Sequence, residues 1–390
     1  LAPFPFLGFA ILIPLFAFSV QTPFKRAIVH TYLFSITAAL SQFYWIGFVT
    51  AEGLWHMVLI GLVLASAVIG LFYLAAGLLF RYVYKQLPRM YILVFPALWV
   101  LIDYSRSIGD ISFPWAFLGY SLMPVIPLAQ VASFSGVWGL TFLIVLGNML
   151  VWELVVSYII NRNQSQKWLH LCIFTVFIII VGFAGWMKTR EKITGESFNV
   201  SLLQTNIDQF NWGNRSLDTA FTITESMVYC ASEKKPDLII APESALLCYL
   251  SRRPNLKSRV ISWADSLGIP IILGALHWDK SPEGSIYDYF VYNSAFLVDP
   301  VKKDLLPYHK IKLVPFSEAI PFEGKFPILS RVNLGEADFK RGLESTIYNL
   351  NGNLKAAPFI CYEIIFPGFV QKRVKQGADM IVTITNDGWF

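Results

Sequence analysis

The sequence predicts a multi-pass α-helical membrane domain followed by an α/β domain, and composition, charge distribution and hydrophobic periodicity support this fold class. Of the 390 residues, 55% are hydrophobic and 15% are charged, far from the balance of soluble proteins. Residues 1–187 carry only eight Lys or Arg and four Asp or Glu, whereas the other 203 residues carry 23 and 22. We therefore expect a transmembrane domain at residues 1–190 and a domain of ordinary soluble composition at residues 191–390.

Apolar runs of about 20 residues, the length that crosses a bilayer as a helix, recur throughout the first half. They predict six spans, near residues 2–21, 27–49, 55–80, 90–105, 128–159 and 168–187. The connection at residues 112–127 is predicted to be interfacial or re-entrant rather than a simple loop. Asp103 and Arg106, near the outer end of the fourth span, are candidates for a functional role or for an ion pair that holds helices together.

Loop charges predict the orientation of the spans, because Lys and Arg collect on the cytoplasmic side. The connections after the first, third and fifth spans carry Lys25 and Arg26, then basic residues at 81–89, then Arg162 and Lys167. The sixth span should therefore deliver the second domain to the extracytoplasmic side. The net charge of +5 belongs mainly to the membrane half, so it does not indicate nucleic-acid binding.

Beyond residue 198 the pattern changes to short β-branched runs that alternate with amphipathic stretches, which is typical of an α/β domain. Strands are predicted at residues 200–204, 238–241, 270–276, 294–298, 356–360 and 380–385, and helices at 217–234, 255–266 and 368–377. The four cysteines form no Cys-x-x-Cys pair and accompany no histidine cluster, so neither a metal site nor a redox pair is expected. An extracytoplasmic compartment would permit one disulfide between them.

Three residues of this domain are candidates for catalysis. Glu243 follows the apolar run 238–241, and a partly desolvated carboxylate suits a general base, although a Glu at a strand end is often a solvated or capping residue. Lys310 lies in an apolar, aromatic stretch where an ammonium can stabilise an oxyanion, or it is a surface lysine. Lys312 competes for that role, because it would share one strand face with Lys310.

Cys361 is the candidate nucleophile. It ends a predicted buried strand, just before a turn that contains Glu363 and leads into a helix. A free thiol is often a core filler, but a strand-to-turn position exposes the sulfur and aims backbone N–H groups, including that of Tyr362, at an oxyanion.

The ordered set of Glu243, Lys310 and Cys361 resembles the Glu-Lys-Cys triad of the nitrilase, or carbon–nitrogen hydrolase, superfamily. That resemblance implies an α-β-β-α sandwich for the second domain. With the membrane half placed before it, the chain resembles the apolipoprotein N-acyltransferase family nearly from end to end. The stretches that carry this resemblance are Leu98–Arg106, with Asp103 where a Glu is usual, Phe113–Ser121, Gln204–Ile207, Pro242–Ser244, Tyr292–Ser294, Tyr308–Glu318, Ile360–Glu363 and Asn386–Phe390.

The resemblance implies roles for several residues. It selects Lys310 over Lys312 as the triad lysine, and it places the carboxylates of Glu318 and Glu363 around the active site. It places Trp212 in the substrate pocket. The family has eight spans and continues past the last motif, so the sequence is expected to lack both ends of a longer protein.

The resemblance also implies a reaction, its partners and a location. A phospholipid, with phosphatidylethanolamine the expected donor, would transfer an acyl chain to Cys361, and the diacylglyceryl-cysteine of an apolipoprotein would accept it in ping-pong order. No cofactor or metal is implied. The location would be the bacterial inner membrane, with catalysis on the periplasmic side. A membrane-tethered amidase with the same triad and a non-enzymatic transporter or receptor are the alternatives.

Overall fold

The computed structural model describes residues 4–49, 55–159, 165–192, 194–195, 197–207, 214–281, 288–322, 339–350 and 354–386. The chain divides into two compact units, residues 1–194 and 195–389. The first unit is helical, as expected from its apolar runs. Its helices are α1 Ile13–Gln21, α2 Phe24–Phe43, α3 Trp55–Gln86, α4 Tyr91–Ser105, α5 Ile126–Ala129, α6 Ala132–Ile159 and α7 Ser165–Thr189.

Among the described residues, α3, α6 and α7 are long and apolar enough to cross a membrane. This confirms the prediction of a multi-pass helical membrane domain. The segment Pro5–Gln21 and α4 are apolar but shorter. The six-span count therefore stays a prediction.

The first predicted span is not one continuous helix. A 3₁₀ turn, Pro5–Phe9, precedes α1, and the buried side chain of Asn148 on α6 bonds to the backbone at the break. Its Oδ1 accepts a hydrogen bond from the Leu12 N–H at 2.8 Å, and its Nδ2 donates to the Gly8 carbonyl at 2.7 Å. A bilayer interior offers no water to backbone groups that lack a hydrogen-bond partner. The Asn148 side chain supplies these partners, so the interruption of the helix leaves the two groups bonded.

Asp103 and Arg106 form a buried ion pair of 3.1 Å at the end of α4. Arg106 also donates to the Trp115 carbonyl at 2.8 Å, and its guanidinium lies over the rings of Tyr73 and Phe117. The pair thereby ties α4 to the connection that follows it. The ion pair itself lies within α4 and its C-cap and does not join two helices, whereas the Arg106 guanidinium reaches α3 at Tyr73.

The second unit contains two sheets. Its strands are β1 Val200–Leu202, β2 Leu238–Ile240, β3 Leu246–Tyr249, β4 Ile271–Lys280, β5 Tyr289–Asp299, β6 Asp304–His309, β7 Tyr348–Asn349, β8 Lys355–Ile360 and β9 Met380–Ile384. One sheet has the order β1-β2-β4-β5-β6 with β3 beside β4, and the other has the order β7-β8-β9. The strands β3, β6 and β7 were not predicted.

The sheets and helices form the layers of an α-β-β-α sandwich, in agreement with the expected fold. Its helices are α8 Asn214–Ser232, α9 Pro254–Leu267 and α10 Pro367–Lys375. Side chains alternate along β4, so that Ile271 and Leu273 pack with α8 and α9, whereas Ile272 faces the second sheet. On that sheet Ile360 joins the core between the sheets, and Phe359 points the other way to contact Phe369 of α10.

Candidate active site

The candidate residues follow the carboxyl ends of strands in both sheets. Glu243 follows β2, and Lys310 comes directly after β6. Because β5 is antiparallel to both β4 and β6, β6 runs parallel to β2 and β4, and the two residues leave the sheet at the same edge. Cys361 comes directly after β8 of the other sheet. The structure therefore brings Glu243 and Lys310 within 3.6 Å of each other, near enough to Cys361 for both charges to act on the pKa of its thiol.

Lys310 is 1% exposed and lies between two carboxylates. Its Nζ donates a hydrogen bond to Glu318 Oε1 at 2.8 Å and lies 3.6 Å from Glu243 Oε1. Burial alone favours the neutral amine, but Glu318, Glu243 and Cys361 together outweigh it and raise the pKa of Lys310 above its usual range. Lys310 is therefore held as an ammonium ion, which suits a residue that stabilises negative charge and not a proton acceptor.

Asn293 of β5 links the two carboxylates, a role that the sequence did not indicate. Its buried Nδ2 donates to Glu243 Oε1 at 2.7 Å and to Glu318 Oε1 at 3.1 Å. The backbone carbonyl of Asn293 accepts a hydrogen bond from the backbone N–H of Lys310 at 2.9 Å. Glu318 is fixed further by the Val314 N–H, which donates to its Oε2 at 2.9 Å.

Cys361 begins a 3₁₀ turn, Cys361–Ile365, with a φ of 47°, a left-handed conformation that costs free energy for a residue with a Cβ. Burial raises the pKa of its thiol to about 11, with a further increase from Glu243 and an opposing decrease from Lys310. The resting thiol is therefore neutral at physiological pH. Nucleophilic attack then requires a base in contact with it.

The loop that carries Glu243 depends on a close backbone approach. A Cβ added to Gly274 of β4 would lie 2.6 Å from the Cα of Glu243 and 2.7 Å from the Pro242 carbonyl oxygen. Glycine alone permits this approach, because real Cβ atoms essentially never come so near another heavy atom. The following residue, Ser244, has a φ of 54°.

Glu363 lies in the same region but bonds to other partners. Its fully buried carboxylate accepts hydrogen bonds from the Tyr308 hydroxyl at 2.8 Å, from the N–H groups of Ile311 and Lys312, and from the Ile360 N–H. Burial raises the pKa of Glu363, and the hydrogen bonds oppose that increase. Glu363 therefore connects the backbone beside Lys310 to the backbone beside Cys361.

The structure answers one question that the sequence left open, which of two neighbouring lysines faces the carboxylates. The prediction that Lys310 and Lys312 share a strand face was wrong, because β6 ends at His309. The Lys312 ammonium lies over the ring of Phe366, whereas Lys310 faces the carboxylates. Tyr362 is buried and follows the candidate nucleophile. Trp212 lies outside the described residues.

Two family models match the chain. The model described as the apolipoprotein N-acyltransferase N-terminal domain matches residues 2–150, and the model described as carbon-nitrogen hydrolase matches residues 199–390. Together with the two-sheet fold, these matches make the second half a carbon–nitrogen hydrolase domain.

Curated relatives resemble both halves at once. An apolipoprotein N-acyltransferase from Geobacter metallireducens is 31% identical over 76% of this chain and 56% of its own length. One from Rickettsia typhi is 28% identical over 92% of this chain and 70% of its own. Among solved structures, an amidase of the nitrilase superfamily from Nesterenkonia is 18% identical to this chain. The match has a TM-score of 0.35 and covers 50% of this chain and 66% of the amidase. The chain belongs to the apolipoprotein N-acyltransferase family.

Proposed function

We propose that the protein transfers a fatty acyl chain from a phospholipid to the N-terminal diacylglyceryl-cysteine of an apolipoprotein. The observation that carries the proposal is a neutral, partly buried Cys361 thiol whose pKa responds to both the carboxylate of Glu243 and the ammonium ion of Lys310. A thiol with a pKa of about 11 needs a base, and the oxyanion of an ester needs a fixed positive charge. The apolar helices and the relatives add a membrane setting, which suits lipid substrates.

In the first half of the proposed reaction, Glu243 takes the thiol proton, and the sulfur of Cys361 attacks the ester carbonyl carbon of the phospholipid. Lys310 and the Tyr362 N–H stabilise the resulting oxyanion. The oxyanion collapses, the ester carbon–oxygen bond breaks, and the proton on Glu243 passes to the lysophospholipid that leaves. Cys361 then carries the acyl chain as a thioester.

In the second half, the α-amine of the apolipoprotein attacks the thioester. Glu243 accepts a proton from the amine, the carbon–sulfur bond breaks, and the proton returns to the sulfur, so the enzyme is regenerated with an amide as product. Glu318 holds Lys310 in place throughout, through the 2.8 Å hydrogen bond. Phosphatidylethanolamine is the proposed donor, and the order is ping-pong.

The proposal includes a location and an assignment of domains. Residues 1–190 form a transmembrane domain of the bacterial inner membrane, and residues 191–390 form the catalytic domain on its periplasmic side. The basic connections of the first half support this orientation. A site at the outer surface of that membrane would meet both lipid substrates.

Intact-protein mass spectrometry of the full-length protein tests the proposal. Purified protein incubated with phosphatidylethanolamine alone should gain the mass of one acyl chain, and hydroxylamine should remove it. The Cys361→Ala variant should gain nothing. A correctly folded protein that takes no acyl chain, or that hydrolyses small amides instead, would contradict the proposal and favour the receptor or the amidase alternative.

A further inference from the structure

The carboxyl end of β9 contacts both the proposed nucleophile and the proposed base. Strands β8 and β9 are parallel, with Ile360 opposite Ile384, so the next residues, Cys361 and Thr385, leave the sheet side by side. The Thr385 side chain forms a hydrogen bond with Cys361. One residue later, the Asn386 N–H donates to Glu243 Oε2 at 3.3 Å.

The sulfur of Cys361 lies in surroundings that oppose its ionisation. It is partly buried, and the nearby carboxylate of Glu243 disfavours a second negative charge. Lys310 offsets part of this effect, but its ammonium also pairs with Glu318 at 2.8 Å. A neutral hydroxyl donor at the sulfur stabilises a thiolate without competing for the carboxylates.

We propose that Thr385 is a further catalytic residue, whose hydroxyl donates a hydrogen bond to the sulfur of Cys361 and stabilises it whenever it carries negative charge. The inference rests on the proposed function, in which Cys361 is the nucleophile. The thiol proton goes to Glu243, and Thr385 keeps its own proton. The sulfur is charged twice in each cycle, on attack at the ester and on departure from the thioester, so one hydroxyl assists both steps.

The inference is tested by the rate at which iodoacetamide alkylates Cys361 in the full-length protein, measured from pH 6.5 to 9.5 by peptide mass spectrometry. The variants are Thr385→Val, which removes the hydroxyl at nearly constant volume, and Thr385→Ser, which keeps it. Thr383→Val is the matched control, because Thr383 lies on the same strand with an exposed side chain.

Thr385→Val should slow alkylation about threefold to tenfold below the thiol pKa. Loss of the donor raises that pKa by about one unit, and the greater nucleophilicity of a more basic thiolate restores part of the rate. Thr385→Ser should stay within about twofold of the unchanged protein, and Thr383→Val should match it. An unchanged rate in Thr385→Val, or an equal loss in both position-385 variants, would overturn the inference.

The alkylation test is independent of acyl transfer. The same samples are incubated with phosphatidylethanolamine and weighed intact. If the unchanged protein is alkylated at Cys361 but takes no acyl chain, the proposed function fails, while the alkylation rates still decide the role of Thr385. If it takes an acyl chain and Thr385→Val shows an unchanged alkylation profile, the role of Thr385 fails alone.

Discussion

The ammonium nitrogen of Lys310 lies 2.8 Å from a carboxylate oxygen of Glu318. This pairing keeps Lys310 from binding more closely to Glu243, whose nearest oxygen is 3.6 Å away. Lys310 is therefore ion-paired with both carboxylates, more closely with Glu318 than with the proposed base. In the proposed reaction, Glu318 holds the ammonium ion of Lys310 and Glu243 accepts the thiol proton.

Replacing Glu318 by glutamine should lower the rate of acyl-enzyme formation about tenfold to a hundredfold. The variant loses a charge-assisted hydrogen bond of about 1.5–3 kcal/mol and releases Lys310 toward Glu243. Quenched-flow mass spectrometry of the thioester measures this rate. Glu344→Gln, at an exposed position, is the control, and a Glu318→Gln variant as fast as that control would show that the pairing has no catalytic role.

Gly274→Ala should abolish activity and destabilise the second unit by about 1–3 kcal/mol, because the added methyl group meets the backbone of Glu243 and cannot be accommodated by a side-chain shift. Gly368→Ala is the matched control. A Cβ there would have no heavy atom within 4 Å, so stability and activity should be retained. Thermal unfolding and acyl transfer, compared between the two variants, check the prediction.

Glu363→Gln should destabilise the protein by about 2–4 kcal/mol, although the side chain keeps its shape. The amide NH₂ group would face backbone N–H groups of Ile311, Lys312 or Ile360, and buried donors would be left without acceptors. Chemical denaturation gives the free energy of unfolding. Equal stability in the variant and the unchanged protein would mean that Glu363 binds there as a neutral acid.

The Cys361 thiol should make stability depend on alkaline pH. Its pKa in the folded protein, about 11, exceeds the ordinary value of 9.0, so the unfolded chain loses this proton first as pH rises. The stabilisation of the folded state by the protonated thiol is complete below pH 9. It is lost as the pH rises to about 11, so that the free energy of unfolding falls by about 2–3 kcal/mol. Melting curves from pH 8 to 11 should show a smaller decline for Cys361→Ala than for the unchanged protein.

Asn148→Leu should destabilise the helical unit by about 1–3 kcal/mol, since the Leu12 N–H and the Gly8 carbonyl lose buried partners. The alkylation rate of Cys361 should not change, because Asn148 lies in the other unit. Thermal unfolding in detergent measures the loss of stability in the helical unit. The alkylation rate of Cys361 shows whether the candidate active site is affected as well. A variant as stable as the unchanged protein would show that the helix break needs no side-chain partner.

Much of the fold could be predicted from the sequence because long apolar runs and alternating β-branched runs are local signals. Strand β6 was missed because it is an edge strand that contains Pro307 and begins with Asp304, so its pattern is weak. The break before α1 was missed for another reason. It depends on Asn148, which is 136 residues away from Leu12 in the chain.

The proposed triad could be named because each residue stands in or at the end of an apolar run, and because their order resembles that of a known family. The roles of Asn293 and Thr385 could not be predicted. Each is an ordinary polar residue within or just after a strand, and its partners become neighbours only when antiparallel or parallel strands are aligned. Partners at such sequence distances leave no local pattern.

The division of the candidate site between two sheets has a consequence for the nascent chain. Glu243 and Lys310 belong to one sheet and Cys361 to the other, so a partly folded chain with a single sheet holds either a base without a nucleophile or a thiol without a base. Under the proposed chemistry, the enzyme could not strip acyl chains from the host membrane until both sheets had joined. The sulfur would therefore become reactive only after the two sheets had packed together.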